Sequence, residues 1–123
     1  VIVSPGTVSV NLGGCVELLE PCNSACADAI EYDFQCEAAA CSASCPVTVD
    51  AGSLTAYDDC ASAADACDPG GCFQYENGAY STGGCVDQIV QAPASHPASV
   101  CVPSAGTFEA SFLAISGVFC GPP

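Results

Sequence analysis

Three kinds of side chain in this sequence are equipped for chemistry: 14 carboxylates, 12 cysteines and a single imidazole. What accompanies them limits what they can do. The 123 residues include no Lys, no Arg, no Met and no Trp, and the formal charge is −14 at neutral pH. An ordinary soluble chain is roughly a quarter charged with both signs present. Losing one sign entirely removes whole classes of function. Nucleic-acid binding rests on cations set against phosphates, so it is excluded. Anionic membranes and nucleotide phosphates are disfavoured for the same reason. No Lys/Arg–carboxylate ion pair can form within the chain. Apolar burial, hydrogen bonds and cross-links must hold the fold against its own charge repulsion.

The cysteines are Cys15, Cys22, Cys26, Cys36, Cys41, Cys45, Cys60, Cys67, Cys72, Cys85, Cys101 and Cys120. No two are separated by only two residues, the spacing that zinc knuckles and redox dithiols commonly use. An even number at this density points instead to six structural disulfides and to an oxidising, extracellular compartment. The start at Val1 without Met reads as a processed secreted product. No Asn-x-Ser/Thr glycosylation site is present. One local pattern bears on connectivity. Cys22 with Cys26, and Cys41 with Cys45, each place two thiols one helical turn apart. Two antiparallel helices carrying such pairs can be cross-linked as Cys22–Cys45 and Cys26–Cys41. That arrangement resembles the helical hairpins of the α-hairpinin family. The resemblance covers residues 22–45 alone, leaves Cys36 outside, and implies a geometry but no activity. The competing reading is one long helix through 24–45, since Ile30-Glu31-Tyr32-Asp33 holds neither Gly nor Pro to turn the chain. Both readings stay open.

His96 would serve a nucleophile only beside a hydroxyl such as Ser95 and an orienting carboxylate. Its Ser-His-Pro context carries no nucleophile elbow, so a solvated loop histidine is expected. Paired carboxylates can cleave glycosides, but no Trp offers a sugar platform and no Arg or Lys can orient a substrate. The chain therefore reads as non-catalytic, with no cofactor required. Asp28 with Glu31, and Asp33 with Glu37, are like-charge pairs at helical spacing, each costing a few tenths of a kcal/mol. Asp58, Asp59, Asp65 and Asp68 form a second acidic group. Calcium is the cation that carboxylates favour, and these four are its candidate ligands, although no Asp-x-Asp-x-Asp-Gly loop is present. The ordinary alternative is a solvated acidic face.

The elements that must position these groups follow from local pattern. Residues 1–14 alternate as a strand–turn–strand or exposed arm around Ser4-Pro5-Gly6-Thr7, closed by Gly13-Gly14. Residues 23–45 are Ala-rich and end at Pro46, with Asn23 or Ser24 to cap them. Val47-Thr48-Val49 is a short β segment. A second helix spans about 55–67, capped by Ser53 or Thr55, with Asp58 and Asp59 in its first turn and Cys60 and Cys67 on one face. Asp68-Pro69-Gly70-Gly71 stops it. Residues 73–80 contain Asn77-Gly78, a strong hairpin signal. Residues 85–90, 100–102 and 108–120 read as strands, with a bulge near Gly117. Residues 92–99 form a Pro/Ser/Ala loop; Ser95, Ser99, Ser104 and Thr107, near Pro93, Pro97 and Pro103, suit either O-glycosylation or an ordinary loop. The fold class is thus α+β, in one disulfide-stapled domain over 1–123: a β arm at 1–14, a helical Cys-rich part at 15–72 and a β-rich part at 73–123.

The ends of the chain suggest a partner. Residues 1–10 carry no charge, and residues 108–120 carry only Glu109. Uncharged edge strands pair with other chains unless they are covered. No apolar run reaches the ~18–20 residues of a membrane span. The favoured reading is a secreted structural subunit that assembles through these segments into an extracellular filament, coat or appendage. A chain without Lys or Arg also gives trypsin-like proteases nothing to cut. The other readings are a monomeric secreted binding module, such as an effector, toxin-like protein or inhibitor, with Tyr32, Tyr57, Tyr75 and Tyr80 as contacts, or an acidic calcium-binding protein.

Overall fold

The computed structural model describes residues 2–4, 7–48, 50, 52–67, 70–103 and 108–121. Strands β1 (Ile2–Ser4) and β2 (Thr7–Ser9) pair antiparallel, with Val3 opposite Val8. From Leu12 onward every regular element among the described residues is helical. These are α1 (Leu12–Leu19), α2 (Ser24–Cys41), α3 (Ser53–Asp65), α4 (Phe73–Tyr80), α5 (Cys85–Gln91) and α6 (Phe108–Cys120). Two 3-10 turns, Pro21–Asn23 and Pro97–Cys101, join them. The α+β expectation is therefore overturned: the part read as β-rich is built of helices.

Local chemistry explains each correction. Gly13 and Gly14 do not close a strand. Asn11 accepts a hydrogen bond from the Gly14 amide at 2.8 Å and so caps α1. Gly13 then lets α1 press against α2, because a Cβ there would meet the Ala27 carbonyl oxygen at 2.8 Å. The Asn77-Gly78 pair makes no hairpin. Cys72, Tyr75, Glu76, Ala79 and Tyr80 recur at helical spacing and are the buried or half-buried positions, while Asn77 and Gly78 face solvent. Residues 85–90 also carry a helix signature: the Asp87 carboxylate reaches back to accept from the Gly83 amide at 2.9 Å, an N-terminal brace. In α6 Ile115 is buried in the core and Val118 packs beside it, while Phe112 and Phe119 stay exposed. A helix satisfies its backbone internally, whereas a strand there would need a partner. Segment 108–120 consequently offers no sheet edge to a second chain.

The core is small. Cys15, Val16, Cys26, Ile30, Ala79, Val86, Ile89, Ala98, Cys101 and Ile115 form one buried cluster. Cross-links reinforce it. The disulfides are Cys15–Cys101, Cys26–Cys85, Cys36–Cys72 and Cys45–Cys60, closing separations of 86, 59, 36 and 15 residues. Loops of this size are worth about 3 to 5 kcal/mol each through the unfolded chain. Four disulfides stand where six were expected; Cys22, Cys41, Cys67 and Cys120 are unpaired. The α-hairpinin-like pairing Cys22–Cys45 and Cys26–Cys41 is not made. Residues 24–41 form one continuous helix instead, so Cys26 and Cys41 lie four turns apart on it.

Helix α3 starts at Ser53, two residues earlier than expected, so neither Asp58 nor Asp59 lies in its first turn. The Ser53 hydroxyl accepts from the Thr48 amide at 3.0 Å. Cys67 lies beyond the helix end and does not share a face with Cys60. The stop signal keeps Gly70 in the left-handed region at φ +109°. Asp68, Pro69, Val49, Ser104 and Thr107 lie outside the described residues.

Candidate functional site

Two polar constellations are assembled by the helices. The first is acidic. Helix α2 carries Asp33 and Glu37 one turn apart, and α3 brings Asp65 against them. One oxygen from each of these three carboxyls lies within 4.8 Å of the others. Asp33 is only 3 % exposed, and its Oδ1 has no hydrogen-bond partner; Asp65 Oδ1 is likewise buried and unpartnered. A buried carboxylate without donors is costly, and it responds by holding its proton.

The titration behaviour follows from that setting. Burial first, then the charges of Asp65 and Glu76, raise Asp33 to about 6. Burial, the charges of Asp33 and Asp65, and a hydrogen bond to Asp65 raise Glu37 to about 7. Glu76, on α4, is raised by burial and by Asp65. The rim is completed by Tyr57 of α3, Tyr80 of α4 and the buried Cys41 thiol, all pushed up by burial and then by these carboxylates. Tyr32 and Tyr75 stand apart as a tilted ring pair with centroids 5.9 Å apart.

Only one of the four expected calcium ligands enters this cluster. Asp65 does; Asp58 and Asp59 are exposed on α3, and Asp68 lies outside the described residues. The helical spacing of Asp33 and Glu37 announced that pair. Glu76 was hidden by the hairpin reading of residues 73–80, although its spacing from Tyr80 is helical.

The second constellation joins residues far apart in sequence. Glu20, at the C-terminal end of α1, sits beside His96, with Nδ1 3.1 Å from Glu20 Oε2. The Ala98 amide donates to Glu20 Oε1 at 3.0 Å, and the Asn23 side-chain amide donates to Oε2 at 3.0 Å. Burial works against ionisation of Glu20, but these donors outweigh it and hold the carboxyl below its usual range. His96 is therefore half-buried and tethered, not a solvated loop residue. No local pattern reveals a contact across 76 residues. Ser95 is exposed, and the Ser99 hydroxyl donates to the Pro93 carbonyl at 3.3 Å. The pair borders a shallow depression that includes Cys22, Gln88 and Ser95. Its role in the fold is to pin the Pro97–Cys101 turn to α1.

No protein-family model, no curated protein and no solved structure matches the chain. Among the described residues no helix is long and apolar enough to cross a membrane.

Proposed function

We propose that this chain is a secreted, non-catalytic structural subunit that associates with further copies of itself through the outer face of α6, building an extracellular filament, coat or appendage. The observation that carries the reading is the imbalance of that helix. Its inner edge is anchored by the buried Ile115, while Leu113 is 63 % exposed and Phe119 47 % exposed. Glu109 is its single charge. Two copies meeting through α2, α3 or α4 bring carboxylates together without a Lys or Arg to relieve them. Contact through α6 buries apolar surface with little repulsion. This replaces strand addition at 108–120, which a helix cannot provide. The four disulfides support an oxidising destination. The non-catalytic part rests on composition, because no Lys or Arg is present to orient a substrate or stabilise developing charge.

Size-exclusion chromatography with light scattering tests it. The native protein is expected to run as a concentration-dependent oligomer, with ordered assemblies in electron micrographs. Leu113→Asp combined with Phe119→Asp is expected to return it to a monomer. A native protein that remains monomeric at millimolar concentration and low pH would refute self-assembly and favour the monomeric binding module.

A further inference from the structure

We propose that Asp33, Glu37 and Asp65 form a binding site for one calcium ion between α2 and α3. Three observations carry it. The donor atoms converge from two helices to within 4.8 Å of one another. Oxygens around one calcium ion lie no farther apart than twice the metal–oxygen distance, about 4.6 to 5.2 Å, so this convergence is compatible with that ion. Asp33, a member of this convergence, is only 3 % exposed and its Oδ1 has no hydrogen-bond partner, and Asp65 Oδ1 is a second buried, unpartnered oxygen. The donors are all hard carboxylate oxygens, the set that calcium takes in preference to softer metals. Glu76 stands close enough to influence all three charges, and adds long-range attraction.

The site differs from a solvated acidic face in the way that matters. Exposed carboxylates are already satisfied by water, so a cation gains little from them. A buried oxygen without a donor has nothing else to satisfy it in a chain with no Lys or Arg. A divalent ion supplies the missing positive charge to α2 and α3 at once and ties the helices together.

Terbium(III), a luminescent calcium surrogate, gives a test that reports position. The chain has no Trp, so excitation of tyrosine reaches the ion only from Tyr residues nearby, and Tyr57 and Tyr80 flank the cluster. The chelator-treated, disulfide-intact protein is expected to give sensitised emission that saturates at one ion per chain and is displaced by calcium. Asp33→Asn and, separately, Asp65→Asn are expected to weaken binding on the order of tenfold or more. Asn replaces a buried carboxylate isosterically, and circular dichroism checks that both variants retain their helices. The pair Asp58→Asn with Asp59→Asn, on the exposed face of α3, is expected to leave binding unchanged. Absence of saturable emission, binding equal to wild type in Asp33→Asn, or tighter binding of zinc than of calcium would each overturn the proposal.

Discussion

The two ends of α2 are buried in opposite ways. Its N-terminal half presents Cys26, Ala27 and Ile30 to α1 and to the cluster holding Val16, Ile89 and Ile115. Its C-terminal half presents Asp33, Glu37 and Cys41 to α3 and α4, and Ala61 is the only buried residue of α3. Apolar side chains become more stable when water is removed; carboxyls become less so. One helix thus joins a region held by its side chains to a region held despite them. Cys36–Cys72 and Cys45–Cys60 brace the acidic end, where the packing itself gives little.

The cross-links carry the largest expected effect. Replacing Cys15 and Cys101 by Ala is expected to cost about 4 to 5 kcal/mol, against about 3 kcal/mol for Cys45 with Cys60, because the first bond closes the longer loop. Urea unfolding measures both. Equal losses would show that native packing, not loop closure, decides the contribution.

Point substitutions on α2 come next and should differ in sign. Ile30→Ala removes a fully buried side chain from the apolar end and is expected to cost about 2 to 5 kcal/mol. Asp33→Asn removes a buried charge that has no counter-charge. It is expected to stabilise the cation-free protein at pH 7.5 by about 1 to 3 kcal/mol. A destabilised Asp33→Asn protein under those conditions would mean that the carboxylate is satisfied after all.

The acidic cluster on α2 and the Glu20–His96 contact should answer pH in opposite directions. Asp33 and Glu37 have folded values of about 6 and about 7, above their ordinary 3.8 and 4.5. Between those limits the folded chain binds more protons than the unfolded chain, so this contribution is full below about pH 4 and is lost as pH rises toward 7. Glu20 is held below its ordinary 4.5. Its contribution is present above that value and is lost as pH falls through the lower folded one. Melting temperatures of the cation-free protein should therefore fall between pH 4.5 and 7.5. Glu37→Gln should flatten that fall. Glu20→Gln should leave it in place and lower stability at neutral pH by about 1 to 3 kcal/mol.

The smallest expected effect concerns the thiols. Cys41 is buried and raised by burial and by Glu37 and Asp65, whereas Cys22, Cys67 and Cys120 are exposed. Alkylation of the folded protein should modify those three first and Cys41 last, since the thiolate is the reactive form. The intact mass should lie about 8 Da below the fully reduced value, one hydrogen for each bonded thiol. A deficit near 12 Da would show that the remaining four cysteines also pair.

Composition alone determined that this chain has no Lys/Arg ion pairs and must rely on cross-links, because missing residue types are missing in every fold. Local pattern announced helix within 24–45, without deciding between a hairpin and one long helix, a second helix near 55–67, and the Asp33–Glu37 pair, because these are interactions within one turn. It failed over 73–120. There the Asn77-Gly78 dipeptide and the Phe, Ile and Val residues of α6 express strand preference, while the choice of helix depends on which faces reach Val16, Ile30 and Ile89. Tertiary structure alone decided that Cys26 meets Cys85, that Glu20 meets His96 across 76 residues, and that Asp65 rather than Asp58 or Asp59 joins Asp33. Each of these depends on how separate helices dock, and no spacing along the chain records that.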